Sequence, residues 1–94
     1  MATAARRIEE PLRLDLSGAR VMRTSLRNAN LTKANLARAD CSFVDFRGAN
    51  FKNACLKGTI LKGADLRGAI NLTREQLAEA ITDSSTLLPD ELQD

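Results

Sequence analysis

The sequence predicts an all-β solenoid, and three features of its residue spacing lead to that prediction. Large apolar residues recur at every fifth position, without a gap, from residue 16 to residue 66. A small residue precedes nearly every one of them by two positions, with Leu14 as the large exception. An Asp or Asn most often lies between the two, and Gly fills the fifth place of several repeats.

A spacing of five is unsuited to an amphipathic helix. At about 100° per residue, five residues advance by about 500°, so successive apolar side chains would rotate around the helix axis. In an extended chain, side chains alternate in direction, so the small and the large residue of each repeat point to the same side. Because five is odd, the last two residues of each repeat must turn a corner, where Gly is favoured. Four such corners close one square coil.

This arrangement resembles the pentapeptide-repeat family, whose A-(D/N)-L-x-x motif occurs here in several copies. Four clear copies are Ala29-Asn30-Leu31-Thr32-Lys33, Ala34-Asn35-Leu36-Ala37-Arg38, Ala49-Asn50-Phe51-Lys52-Asn53 and Ala64-Asp65-Leu66-Arg67-Gly68. The resemblance implies a right-handed quadrilateral β-helix for residues 14–68. That block is long enough for nearly three coils.

Side chains one coil apart should stack on one another inside this tube. Residues twenty positions apart would then lie about 4.8 Å from each other, as neighbouring parallel strands do. The predicted internal ladders are Leu16/Leu36/Leu56, Val21/Cys41/Leu61, Leu26/Phe46/Leu66 and Leu31/Phe51. The rings of Phe46 and Phe51 should meet as the bulkiest part of the core.

The two ends of the chain lack the five-residue spacing. Residues 1–13 are predicted to form either a loose lead-in or a thin N-terminal cap. Residues 69–94 are predicted to form a short capping α-helix, over about residues 74–81, and an acidic tail. Residues 73–76, Thr-Arg-Glu-Gln, have the form of a capping box, which favours a helix that begins there.

The composition argues against an enzyme. The chain has no His, so neither of its two Cys residues has an imidazole base and no His-containing metal site can form. Cys41 should be buried and Cys55 should point outward from a different face, so a disulfide between them is not expected. We therefore expect no catalytic, cofactor-binding or metal-binding residue. Two unpaired thiols and the absence of a long apolar run fit a cytoplasmic protein.

Three apolar residues at outward positions give the main functional hypothesis. Met22, Phe43 and Ile60 are predicted to point outward on the second face, where most other repeats carry polar groups. Such a patch can mark a partner surface, so the sequence predicts a protein-interaction module that docks a protein partner. A competing interface is an exposed coil end, whose open strand edges could pair with a second copy in a homodimer.

Charge supplies an alternative hypothesis. The repeat block holds ten Lys or Arg against four Asp, whereas the residues from 69 onward hold one Arg against six acids. Arg27, Arg47 and Arg67 should form a basic ladder on the third face, which could bind an anionic partner. Neighbouring aspartates can pair with two of these arginines, and two of the three Phe residues point inward, where they cannot stack on the bases of a nucleic acid. A nucleic-acid partner is therefore not expected.

The family resemblance raises one further possibility. Some pentapeptide-repeat proteins resemble B-DNA in shape and charge, and they inhibit or protect DNA gyrase. Mimicry of that kind requires a long acidic rod, and this block is short and basic. A gyrase-directed role is therefore not favoured.

Overall fold

The chain winds into a four-sided β-solenoid in which each strand contributes a single bridging residue. A computed structural model describes residues 14–93, so the prediction for residues 1–13 lies outside the described residues. Parallel bridges join residues twenty positions apart, as between Asp15 and Asn35. We number the faces 1 to 4 in chain order. Their outward bridging residues are Asp15/Asn35/Cys55, Arg20/Asp40/Ile60/Ile81, Ser25/Asp45/Asp65/Leu87 and Asn30/Asn50/Ile70.

Large inward side chains from all four faces fill the interior. The rings of Phe46 and Phe51 have centroids 5.2 Å apart and planes tilted by 59°, a favourable arrangement for two aromatic rings. In the first coil, Leu16, Val21 and Leu26 are partly buried and pack against this core. The fully buried members of the four ladders are Leu31, Leu36, Cys41, Phe46, Phe51, Leu56, Leu61 and Leu66.

Each corner is a tight turn that explains why glycine suits the fifth place of a repeat. The N–H of Ala34, for example, donates to the C=O of Leu31 at 2.9 Å. Only the second of the two central residues, here Lys33 with φ 62°, has a positive φ, which is the pattern of a type II turn. Glycine adopts that conformation without strain. In the part of the chain that the structure describes, seven non-glycine residues have a positive φ as well: Arg23, Asn28, Lys33, Arg38, Phe43, Asn53 and Asn71.

The Asp or Asn of each repeat stabilises the corner that follows it. The side-chain oxygen of Asp40 accepts the backbone N–H of Ser42 at 3.1 Å, which forms an Asx turn. The same bond occurs at Asp15, Asn30, Asn35, Asp45, Asn50, Asp65 and Asp83. The sequence analysis assigned these side chains no part in forming the corners. The hydrogen bond to the next corner is the physical reason for their recurrence.

The solenoid continues past residue 68 in an altered form. Helix α1, Arg74–Glu79, follows face 4 of the third coil, and the bridges Ile60–Ile81 and Asp65–Leu87 then extend faces 2 and 3. The spacing along these columns has grown from twenty to twenty-one and twenty-two residues. The helix ends before residue 81 because Ile81 enters the face 2 bridge. A 3₁₀ helix, Asp90–Leu92, follows the last bridge.

Gln76 ties α1 to the coil beneath it. Its Oε1 accepts the N–H of Thr73 at 2.8 Å, and the Thr73 Oγ1 accepts the N–H of Gln76 at 3.0 Å, which completes a capping box. Its Nε2 donates to the C=O groups of Phe51 and Ala54, at 2.8 and 3.0 Å. One coil lower, the carbonyl at the position equivalent to Ala54 accepts a backbone N–H from the coil above it. One side chain therefore both starts the helix and satisfies an open strand edge.

The hydrogen bonds that the aspartate carboxylates accept, chiefly from the side chain two positions on, should make the fold sensitive to acid. Hydrogen bonds from Arg47 lower the pKa of Asp45 from 3.8 to about 2. A side-chain hydrogen bond from the residue two positions on likewise lowers the pKa of Asp15, Asp40, Asp65 and Asp83.

A carboxyl whose pKa is lower in the folded state stabilises the fold above its unfolded pKa, and that stabilisation is lost as the pH falls through the folded pKa. We expect the free energy of unfolding to fall between pH 3.8 and about 2. Asp45→Asn should flatten this decline and Asn35→Asp should steepen it, as measured by urea unfolding at each pH. Parallel pH profiles for the three proteins would contradict the prediction.

Candidate interaction surfaces

Face 2 carries most of the apolar side chains that the sequence analysis singled out. Ile60 is half-buried and bridges Ile81, which is 44% exposed. Phe43 lies in the corner that ends face 2 and is 52% exposed. The structure therefore brings Ile60 beside Ile81, a neighbour that the sequence analysis missed because the spacing between the two is twenty-one residues instead of twenty. We call Phe43, Ile60 and Ile81 the face 2 surface.

Met22 lies at the lower edge of this surface. It is half-buried in the first-coil turn, and the twenty-residue register places it below Ser42. Phe43 occupies the neighbouring column, so the three residues predicted as one patch stand in three different columns. Met22 thus borders the face 2 surface and does not form its centre.

Phe43 is held between two residues of its own column. The guanidinium carbon of Arg23, one coil below, lies 4.8 Å from the ring centroid, within the range of a cation–π interaction. Gly63, one coil above, packs so closely that a Cβ atom there would clash with the ring. The backbone of Phe43 has φ 60°, a conformation that is rare for a bulky residue. The ring is therefore fixed in position with its edge exposed.

The basic ladder on face 3 is largely charge-paired. The Nη2 of Arg47 lies 2.9 Å from the Oδ2 of Asp45, and the Nη2 of Arg67 lies 2.7 Å from the Oδ2 of Asp65. The Nε of Arg47 also lies 3.7 Å from Asp65 in the next coil. The hydrogen bonds that both arginines donate to these aspartates raise the pKa of Arg47 and of Arg67. Arg27 has a serine at the equivalent position, so it is the one ladder member without this pairing.

Face 1 carries the exposed thiol. Cys55 is exposed and bridges Asn35, whereas Cys41 is buried and its pKa is raised to about 12 by desolvation. An open depression of about 480 Å³ lies beside Cys55, lined also by Leu14 and Lys33. Among residues 14–93 there is no group of His, Cys, Asp or Glu side chains that could hold a metal ion. Within the same range, the one α-helix is too short to cross a membrane.

The twenty-residue register and the repeated Asx turns have a counterpart in known sequences. The family model of pentapeptide repeats matches residues 15–53, 24–63 and 45–74, with eight copies in all. The chain belongs to the pentapeptide-repeat family. The resemblance drawn from its motifs is thereby confirmed. No curated protein sequence matches the chain.

Several solved structures of this family are similar to the chain. Rfr23 from the cyanobacterium Cyanothece 51142 is 27% identical with a TM-score of 0.65, over 79% of this chain and 53% of that one. The chain thus spans about half the length of Rfr23. The similarity supports a right-handed quadrilateral β-helix.

Two further family members are more distant. The protein alr5209 from Nostoc PCC 7120 is 24% identical, with a TM-score of 0.38 and coverage of 86% and 78% of the two chains. HetL from Nostoc sp. strain PCC 7120, described as involved in heterocyst differentiation regulation, is 20% identical with a TM-score of 0.37. The alignment covers 71% of this chain and 44% of HetL.

The contact between Phe43 and Gly63 can be tested against a second glycine in the same conformation. Gly18 and Gly63 both have φ +68°, but a Cβ on Gly18 would meet nothing within 4 Å. Gly18→Ala should therefore show only the backbone cost, about 1–2 kcal/mol of unfolding free energy. Gly63→Ala should cost clearly more, because the new methyl group displaces the Phe43 ring.

Urea unfolding of the two variants measures this difference. In the Phe43→Ala background the extra cost of Gly63→Ala should disappear. Equal losses for the two glycine variants would show that the ring does not lie over Gly63.

Proposed function

We propose that this protein is a non-catalytic binding module that docks a protein partner through the face 2 surface. Phe43, Ile60 and Ile81 form its apolar contact area, with Met22 at the lower edge. The observation that carries this proposal is that Ile60, at a position where most repeats gain a corner hydrogen bond from an Asp or Asn, is bridged to a second outward isoleucine, Ile81. The exposed free thiol of Cys55 is consistent with a reducing, cytoplasmic setting.

Ile60 gives up a hydrogen bond that its own column forms one coil below. There, Asp40 accepts the N–H of Ser42 at 3.1 Å. Isoleucine has no acceptor, and among residues 14–93 the N–H of Lys62 finds no other partner. In return, an apolar side chain is placed outward, beside a second isoleucine at position 81. Local rules of a fold are most often broken where function requires it.

Phe43 breaks a second local rule on the same side of the solenoid. A left-handed backbone costs a non-glycine residue about 1–2 kcal/mol, and the other corners use mainly Gly, Asn, Lys or Arg there. The aromatic ring contributes nothing to the buried core, since it is half exposed. It is, however, fixed by Arg23 and Gly63. A rigid, exposed aromatic side chain is well suited to anchor a protein interface.

The electrostatic alternative has weaker support. Arg27, Arg47 and Arg67 would have to attract an anionic partner through a ladder in which two of the three side chains are ion-paired. Exposed ion pairs are also readily screened by salt. Binding through this ladder should fall steeply as the salt concentration rises, whereas docking on an apolar surface should not.

The proposal predicts that restoring the repeat consensus at Ile60 stabilises the fold and abolishes partner binding. Ile60→Asn supplies the missing acceptor for the N–H of Lys62 and removes the apolar side chain. The free energy of unfolding should rise by about 0.5–1.5 kcal/mol, the net worth of one hydrogen bond. Cys55→Asn is the matched control, because it installs the same Asx turn on face 1.

Partner binding is measured by affinity capture from the source cell, with quantitative mass spectrometry of the captured proteins. A docked partner should be retained by the native chain and by Cys55→Asn, in low and in high salt, and lost with Ile60→Asn and with Phe43→Asn. Equal recovery with all four chains would contradict the proposal. Recovery that disappears in high salt would favour the basic ladder instead.

A further inference from the structure

We propose that copies of this chain associate head to tail, with the first coil of one copy stacked on the C-terminal coil of the next. Faces 2 and 3 would then continue as unbroken parallel ladders across the boundary. This contact uses the two ends of the solenoid, whereas the docking proposed above uses its side. Either proposal can therefore fail without the other.

Among residues 14–93, the lower end of the solenoid has strand edges without backbone partners. Arg20 and Ser25 are each bridged to the coil above them, through Asp40 and Asp45. Among residues 14–93, their own backbone N–H and C=O groups bond to nothing below. Exposed edges of this kind are templates for pairing with another chain.

Within the solenoid, the hydrogen bonds that such an edge would form are seen two coils higher, at Ile60. The N–H of Ile60 donates to the C=O of Ala39 at 2.9 Å, and its C=O accepts the N–H of Cys41 at 2.8 Å. Each strand thus bonds to the two groups that flank the bridging residue beneath it. A new coil needs a carbonyl and an N–H in those two places.

The upper end offers both groups on faces 2 and 3. Ile81 is bridged only to the coil below, and the flanking C=O of Ala80 and N–H of Thr82 have no partner among residues 14–93. The same holds on either side of Leu87, for the C=O of residue 86 and the N–H of residue 88. Stacking in register would place Arg20 of the next copy on Ile81 and Ser25 on Leu87. Four backbone hydrogen bonds would form in the pattern of the existing ladders.

The same register brings opposite charges together. Asp83 occupies the upper end of the corner column that contains Arg23, since its Oδ1 accepts the N–H of Gly63 at 3.3 Å. Its Oδ2 has no hydrogen-bond partner among the described residues. Arg23 of the next copy would follow in this column, and Arg27 would lie over Pro89, directly before the exposed Asp90. Two arginines of one copy would thus face two acids of the other.

The charge of the two ends also selects the direction of stacking. Residues 14–33 carry four Lys or Arg against one Asp, and residues 74–93 carry one Arg against five acids. Two first coils facing each other, or two C-terminal ends, would oppose like charges, which disfavours a symmetric end-to-end dimer. Head-to-tail contacts are heterologous and do not close on themselves, so the product should be a series of linear oligomers.

Sedimentation velocity of the full-length chain, from micromolar to millimolar protein, tests this proposal. At low salt the weight-average mass should rise continuously with concentration, and high salt should reduce it. Arg27→Glu and Asp90→Lys should each weaken association by about tenfold or more, equivalent to about 1.4 kcal/mol. An equimolar mixture of the two variants should regain association, because each supplies the charge that complements the other.

Two further variants separate the backbone pairing from general charge effects. Ser25→Pro removes an N–H that has no partner among residues 14–93, so the chain should fold normally but associate at least tenfold more weakly. Lys52→Glu makes the same charge change as Arg27→Glu at mid-rod and should leave association unchanged. The proposal is overturned by a native chain that stays monomeric throughout. It is equally overturned if Arg27→Glu, Asp90→Lys or Ser25→Pro associates as strongly as the native chain. The same holds if Lys52→Glu weakens association as much as Arg27→Glu does.

Discussion

The whole structure depends on keeping a constant number of residues between one corner and the next. A strand here is a single bridging residue, so the corner must reset the direction of the side chains in every repeat. The type II turn and the Asx hydrogen bond fix that corner together, as Asp40 and Ser42 show at 3.1 Å. An uncompensated change of one residue would turn every later apolar side chain toward solvent. Burial of Phe46 and Phe51 follows from that register.

The sequence predicts the repeat region well because the five-residue period of its apolar residues follows directly from the geometry of the corners. Leu36 and Leu56 could be placed in one ladder from spacing alone, and both are fully buried. Beyond residue 68 the period fails, because α1 replaces a strand and the column spacing grows to twenty-one and twenty-two residues. Ile81 and Leu87 could not be assigned to faces for that reason. The bonds from Gln76 to two carbonyls depend on where the helix lies in space, which no local pattern records.

A fold built from one repeated unit makes its exceptions informative. At most positions the residue type is explained by the corner or by the core. Ile60, Phe43 and the exposed Ile70 are explained by neither. Ile60 and Phe43 lie together on the side of face 2, whereas Ile70 lies on face 4 beside Asn50. The charges are also unevenly placed, with basic coils below and acids above. The side and the ends of the solenoid therefore present different chemistry, and each surface fits a different kind of contact. The similarity to Rfr23 covers about half of that protein, so the proposals concern this chain's own surfaces.

The register itself is measured most directly by nuclear Overhauser effects between backbone protons of neighbouring coils. The structure predicts cross-peaks between bridged residues twenty positions apart, as for Asp40 with Ile60. The separation should become twenty-one for Ile60 with Ile81 and twenty-two for Asp65 with Leu87. Contacts between residues three or four positions apart throughout the repeat region would contradict the account, and so would contacts at twenty between Ile60 and Ala80 or between Asp65 and Ser85.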